Sequence, residues 1–574
     1  MFDYPRPQQV RSQWQSLNGS WEYSFQEVAR LDKVRWKSNI QVPFPPESEL
    51  SGVNDQSYHP VIWYQKAFTP PKDWGKQRIH LHFGAVDYSA KVWVNGQLVA
   101  THEGGHTPFS ADITDVLVKG QQTIIVRAED DPLDLSKPRG KQEWLKDPHA
   151  IWYPRTTGIW QSVWLEPVSE THIANFRITP KFMEFAFGLD VHLNGDAKGS
   201  SMEVTFSQGK TVLASDIYQL DRNHIQREVH LSVNGFDDLR NLMWSPEHPN
   251  LIDVSLTLKH GNDVLDTVDS YTALRKIEAR SGKFFLNNHP YFLRLALDQG
   301  YFDESLLAAP SSEALKKDVE LAKAMGFNGV RKHQKIEDPR YLYWADKLGL
   351  LVWEEMPSHY HFNHTAIHRL TKEWLEVLER DYNHPCIVAW VCFNESWGVP
   401  DLPHSAKQRH YVAGLYHLTK SLDSTRLVIG NDGWEHVETD LLTIHDYHRD
   451  ASKLSERYGT PEASWATADT IVEHGRAILL EDTIVNNQPV LLTEFGGIRY
   501  KPDAEGWGYQ QAESPEVLLK TYSDMITAIS TGGLAGFCYT QFADTFQEQN
   551  GLLYSDRRPK LPLEALATAT RNGR

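Results

Sequence analysis

The 574-residue chain carries 58 Lys and Arg against 75 Asp and Glu, a formal net charge of −17, with 40% hydrophobic residues. That length and ordinary soluble composition exceed one compact core, so about two to four domains are expected. The charge argues against a nucleic-acid or anionic-membrane surface, which would need clustered cations to displace counterions; a neutral or cationic ligand stays open.

Three cysteines, Cys386, Cys392 and Cys538, lack metal-ligand spacing and read as core thiols in a reducing compartment. The opening MFDYPRPQQVRSQW has no apolar run fit for a signal peptide, and no segment reaches membrane-span length, so a cytoplasmic location is expected. The many Trp, Tyr and Phe residues suit β-rich cores as well as rings that stack on sugar faces.

Up to residue 168 the chain is a series of short alternating runs broken by turns: IHLHFGAVD, then AKVWVNGQLVA with Asn95-Gly96 at a hairpin tip, then QTIIVRAE. This is an all-β sandwich pattern. Residues 169–280 continue it with FGLDVHLNG, SMEVTFSQG, IQREVHLSV and IDVSLTLKHG, enough strands for a second sandwich of immunoglobulin-like size. From 281 to 574 the texture changes. Eight buried-strand runs, at 291–298, 327–331, 350–354, 387–395, 426–430, 441–447, 489–494 and 534–540, alternate with segments of helical period such as SSEALKKDVELAKAMG, PRYLYWADKLG and TAIHRLTKEWLEVLERDYN. Only a short stretch separates the fifth and sixth. The repeat predicts a closed (β/α)8 TIM barrel, and no GxGxxG follows its first strand.

In such a barrel, ionisable groups that close apolar strands meet at the C-terminal face. Glu395 closes IVAWVCFNE and Glu494 closes PVLLTE, on opposite sides of the mouth. Glycoside hydrolysis needs one carboxylic acid to protonate the leaving oxygen and a second carboxylate on the other face of the sugar; a gap of about 5 Å gives retention and about 6.5–9.5 Å inversion. Asn394, beside the first, is placed to hydrogen-bond a sugar 2-hydroxyl. Asp298, Arg331, His333, His445, Asp446 and Tyr447 add polar groups at the same level, and Glu354 and Glu355 compete as carboxylates but lack a neighbouring amide. HDYH and RKHQK have no metal-site context, so neither metal nor cofactor is expected.

These motifs resemble glycoside hydrolase family 2, the β-galactosidase and β-glucuronidase family, over nearly the whole chain. IWYPRTTGIWQSVWLEPV is similar to the close of that family's jelly-roll sugar-binding domain, WSPEHPNL to its immunoglobulin-like domain, and MGFNGVRKHQ, YNHPCIVAWVCFNES and LLTEFGG to its barrel segments. The resemblance implies Glu395 as acid/base, Asn394 as 2-hydroxyl ligand, Glu494 as nucleophile, Tyr447 as its hydrogen-bond donor, and His333 as the second-strand histidine. Retention through a covalent intermediate follows from the same resemblance. The chain departs from the family at Glu548-Gln549-Asn550, where family glucuronidases carry Asn-x-Lys, and at Thr540, where tryptophan is frequent.

The expectation is therefore a retaining exo-β-glycosidase, β-galactosidase-like and acting on a neutral sugar. The alternatives are a uronic-acid-specific enzyme, with Arg331, Lys332 or Lys335 supplying the charge, an arabinosidase, or a non-catalytic carbohydrate-binding protein. Burial and the Glu494 charge are expected to raise the Glu395 pKa. A small carbohydrate is the expected partner, with no nucleic acid or membrane, and the exposed sandwich faces are compatible with a homo-oligomer. Loops 446–480 and 495–515 are expected to shape the pocket.

Overall fold

The computed structural model describes residues 3–233, 240–470, 475–480, 483, 485, 487–500 and 505–572. Within the loops expected to shape the pocket, 471–474 and 501–504 lie outside the described residues. No helix among the described residues is long and apolar enough to cross a membrane. Cys386, Cys392 and Cys538 are buried free thiols.

The N-terminal sandwich packs a four-stranded sheet against a six-stranded one. Alternation drives it: Gln122–Glu129 buries every second residue, and its Ile124, Val126 and Ala128 join Leu81, Val92 and Leu165 in one core. The predicted hairpin pairs Val94 with Gln97, and Asn95 and Gly96 take φ of 49° and 81°, the left-handed pair that a two-residue turn requires. The next sandwich sets a three-stranded sheet on a four-stranded one around Phe187, Val204, Phe206 and Leu256. Its Trp244 is fully buried and donates Nε1–H to the Asp346 carbonyl at 2.8 Å, tying this sandwich to the barrel.

The barrel strands are β1 (Leu293–Asp298), β2 (Gly329–Lys332), β3 (Leu351–Glu355), β4 (Ile387–Val391), β5 (Leu427–Ile429), β6 (Leu442–His445), β7 (Val490–Glu494) and β8 (Gly536–Tyr539). They form one eight-stranded sheet whose strand pairs are parallel, in the order β5-β4-β3-β2-β1-β8-β7-β6. Its end strands carry no ladder between them; side-chain and loop bonds cross that seam, among them Gly433 N–H to Thr443 Oγ1 at 3.0 Å. The helices start where sequence chemistry predicts. Ser311 caps Ser312–Ala324 by accepting from Ala314 N–H, and Asp338 caps Pro339–Leu348, whose proline occupies the first turn where its missing N–H costs nothing.

Candidate active site

Glu494 is the last residue of β7, as its apolar run predicts. Glu395 is not the last residue of β4. The ladder ends at Val391, and the chain then crosses to the loop after β5, where Glu395 N–H donates to the Asp432 carbonyl at 2.9 Å. Glu395 and Ser396 both lie in the left-handed region, with φ of 51° and 57°. Each costs on the order of 1 kcal/mol or more for a residue with a Cβ. The turn is held by Asn431, whose Oδ1 accepts from Ser396 N–H at 3.0 Å and whose Nδ2 donates to Ser396 Oγ at 3.1 Å. This bend aims the Glu395 side chain back across the mouth.

There, one Glu395 carboxylate oxygen, one Glu494 oxygen and a His445 nitrogen all lie within 4.8 Å of one another. His445, closing β6, bridges two acids. Its Nδ1 is 2.7 Å from Glu395 Oε1 and its Nε2 is 2.8 Å from Asp432 Oδ2. Burial alone would lower this ring, but the charges of Glu494, Asp432 and Glu395 overrule it and lift the pKa to about 10. Both ring nitrogens therefore carry protons near neutrality, and a cation at this cluster would have to displace one.

Glu494 is held from two sides. Tyr447 O–H donates to Oε2 at 2.6 Å and Arg331 Nη1 donates to Oε1 at 3.1 Å. Burial and the Glu494 charge push the Tyr447 hydroxyl well above its usual range, so it stays a donor. Thr540, where the family's frequent tryptophan is absent, sets its Oγ1 3.2 Å from the same hydroxyl. The ring of Tyr509 stacks on that of Tyr447 at 3.5 Å.

Arg331 spreads its guanidinium over Glu355, Asp432, Glu494 and Asn394, with the last pair at 2.5 Å. It is fully buried. Its donors are consumed by protein acceptors, so it positions the acids and does not offer itself to a sugar. Its grip also fixes the Asn394 amide: Oδ1 accepts from Arg331, and the buried Nδ2 has no partner among the described residues. An amide N–H2 left unmet in a buried mouth is a ready donor to a ligand hydroxyl.

His333 lies against the same assembly, its Nδ1 2.9 Å from Glu355 Oε1; burial, then Lys141 and Arg331, keep the ring neutral. Asp298 stands apart. Its Oδ2 pairs with Lys332 Nζ at 2.8 Å, its Oδ1 accepts from Gly300 N–H, and it makes no hydrogen bond or ion pair to either glutamate. Asp446 accepts from Tyr458 and Arg457 instead of facing the glutamates. Glu354 is turned to the helix layer, 3.8 Å from Arg380.

Two sequence-based expectations need correction. Burial does raise Glu395, but the His445 imidazolium, then Lys141 and Arg331, outweigh it and hold the carboxyl below its usual range. Nor can Arg331, Lys332 or Lys335 supply a free charge for an acidic sugar. Lys332 is paired to Asp298 and Glu337, and Lys335 to Glu337 and to the Gly300 and Leu307 carbonyls. Glu548 is held at both oxygens: Tyr153 O–H donates to its Oε2 at 2.5 Å and Asn550 Nδ2 to its Oε1 at 3.2 Å.

Sequence reasoning passed over Asp432, although Asn431-Asp432 directly follow the fifth apolar run, as the strand-end rule demands. It also passed over the N-terminal sandwich's share of the mouth. Trp152 meets Trp397 edge-on at 5.5 Å, and Trp397 Nε1 lies 3.4 Å from Glu395 Oε2.

Comparison with known proteins matches residues 14–167 to the sugar binding domain of glycosyl hydrolases family 2, residues 171–275 to a second domain of that family, and residues 277–571 to its TIM barrel domain. A β-galactosidase of Thermoanaerobacter pseudethanolicus is 27% identical over 484 residues, 80% of this chain and 62% of that protein. The chain spans 50% and 45% of two further curated relatives. A Bacteroides uniformis β-glucuronidase 2 covalently bound to cyclophellitol-6-carboxylate aziridine superposes with a TM-score of 0.76 at 22% identity, covering 95% of this chain and 68% of that one. A β-galacturonidase from Eisenbergiella tayi bound to galacturonate superposes with a TM-score of 0.76 at 20% identity over 99% of both chains. These likenesses establish the shared fold, and the three domain matches cover nearly every residue that builds the mouth. With two sandwiches leading into a barrel that carries paired glutamates, the chain belongs to glycosyl hydrolases family 2.

Proposed function

We propose that the chain is a retaining exo-β-glycosidase in which Glu494 attacks the anomeric carbon and Glu395 protonates the departing oxygen. The observation that carries this reading is the approach of the two carboxylates to within 4.8 Å. Retaining enzymes hold theirs about 5–5.5 Å apart, whereas inverting enzymes need about 6.5–9.5 Å to admit a water. Glu494 is oriented for attack by Tyr447 and Arg331, and Asn394 offers its unmet N–H2 to the sugar 2-hydroxyl. The covalent adduct formed by the structurally similar B. uniformis protein supports the same course. Water, activated by Glu395 acting as base, then releases the sugar.

Two readings of the sugar follow from different observations. A neutral hexoside, of the β-galactoside kind, is favoured by the absence of a lysine at 548–550 and by Glu548 in its place. A uronic-acid glycoside is favoured by the lysine at position 141. A panel of nitrophenyl β-galactoside, β-glucoside, β-galacturonide, β-glucuronide, β-mannoside and α-arabinosides tests both, run on wild type, Glu494→Gln and Glu395→Ala. Turnover of one glycoside that disappears in Glu494→Gln, with Glu395→Ala losing most on the poorest leaving group, is the expected result. Equal turnover in wild type and Glu494→Gln would refute the assignment, and binding without turnover would favour a carbohydrate-binding role.

A further inference from the structure

The segment 138–143 of the N-terminal sandwich reaches the loops that follow the second and third barrel strands. Gly140 makes this passage feasible. Its φ is 61°, and a Cβ there would collide with the Gln334 carbonyl, one residue beyond His333. Arg139 and Gly140 N–H both donate to the Ser358 carbonyl, at 3.0 and 3.1 Å, and Tyr360 O–H donates to the Gly140 carbonyl at 2.6 Å. The next residue, Lys141, is anchored through its own carbonyl, which accepts from Tyr153 N–H at 2.8 Å. Tyr153 is the residue whose hydroxyl holds Glu548.

Lys141 is only 6% exposed, yet its ammonium makes no hydrogen bond or ion pair with any described residue. The other lysines and the arginine around the mouth are matched: Arg331 to Glu355, Asp432 and Glu494, Lys332 to Asp298 and Glu337, Lys335 to Glu337. An ammonium on a mostly buried residue with no protein partner is not a stabilising contact, and fold stability alone gives no reason to keep one. Its charge also bears on Glu395, Glu548 and His333, the polar groups of the mouth.

We propose that Lys141 is a specificity-determining residue of this site, delivered by the N-terminal sandwich to pair with a carboxylate on the glycone. The proposal rests on the glycosidase reading above and selects the uronic-acid class within it. A singly charged carboxylate suits the surroundings better than a dianion, because Glu395, Glu494, Glu355 and Asp432 already crowd the mouth with negative charge. Glu548 does not face it bare: Tyr153 O–H and Asn550 Nδ2 occupy its oxygens. The position also explains how a chain without Lys at 548–550 can still recognise an acidic sugar, since the cation arrives from another domain.

The test compares nitrophenyl β-galacturonide and β-glucuronide with the matched β-galactoside and β-glucoside, on wild type, Lys141→Met and Lys141→Arg. Wild type is expected to favour a uronide in kcat/KM, and that ratio should fall about 30-fold or more in Lys141→Met, chiefly through KM, with partial recovery in Lys141→Arg. A ratio that stays the same while both activities fall together would reduce Lys141 to a structural residue and overturn the proposal. So would a wild type that hydrolyses only neutral glycosides. A second readout separates this proposal from the glycosidase reading: the thermal shift given by free galacturonate and glucuronate against galactose and glucose. Uronate-specific stabilisation that vanishes in Lys141→Met, without turnover of any glycoside, would sink the glycosidase reading and leave Lys141 standing. The same shift in Lys141→Met as in wild type, or none for uronates in wild type, would overturn Lys141.

Discussion

Replacing His445 by Gln should change how stability depends on pH more than it changes stability at alkaline pH. The ring is buried between Glu395 and Asp432, 2.7 and 2.8 Å away, with Glu494 at 3.5 Å. Its pKa of about 10 in the folded protein stands against 6.5 for an unperturbed histidine, and a gap of that size is worth on the order of 5 kcal/mol. Because the folded value is the higher one, this stabilisation is complete below about pH 6.5, declines as pH rises, and is gone above about pH 10. Other groups titrate in the same interval, so the quantity to measure is the difference between wild type and His445→Gln. Calorimetric unfolding from pH 6 to pH 10 should show the two curves far apart at pH 6 and converging toward pH 10. Parallel curves would mean that the ring is neutral in the fold, and the charge balance drawn for this site would be wrong.

Two further outcomes follow from the same network. Arg331→Met leaves Glu355 buried without its cation and Asp432 with only the His445 imidazolium, so a loss of about 3–5 kcal/mol is expected, read as a fall in the unfolding midpoint in denaturant; a change below about 1 kcal/mol would contradict the burial argument. Asn394→Ala should lower kcat/KM by about 10–100-fold on a glycoside with a 2-hydroxyl and far less on its 2-deoxy analogue, as one hydrogen bond to a developing charge predicts. Equal losses on both would place the amide elsewhere.

The barrel was legible because its strands are apolar runs set between amphipathic segments with caps at their starts, and each signal is local. Glu494 was legible for the same reason, since β7 ends at it. The real course of Glu395 was not. Its aim depends on two left-handed residues stabilised by Asn431, a partner 35 positions away from Ser396, and no periodicity reports such a bend. The role of Arg331 was half legible. Its strand-end position placed it at the mouth, but whether it would meet a sugar or the protein's own acids depended on residues from β3, β7 and the loops after β4 and β5 converging on it. Lys141 carried no local signal. PRGKQE reads as a turn in a sandwich loop, and only the fold brings it to a barrel that begins some 150 residues later in the chain.

The low position of Glu395 looks at first like an obstacle to acid catalysis, since a donor must hold a proton. The geometry removes the difficulty by storing that proton next door. At rest His445 is the imidazolium and Glu395 the carboxylate, 2.7 Å apart. Once burial has been overcome, the largest influence holding the His445 proton is the negative charge of Glu494. If Glu494 is the nucleophile proposed above, its charge disappears into an ester as it bonds to the anomeric carbon, and the reason for the proton to stay on His445 weakens in the same step. In the proposed reaction the glycosidic oxygen meanwhile gains negative charge; His445 passes its Nδ1 proton to Glu395, which hands it on to the leaving oxygen and so ends as the carboxylate that activates water. Attack at one glutamate and proton release at the other are then coupled through a single ring, with Asp432 on Nε2 keeping that ring oriented. When water later cleaves the ester, the Glu494 charge returns and His445 regains its hold, which restores the resting arrangement without a group from outside the site.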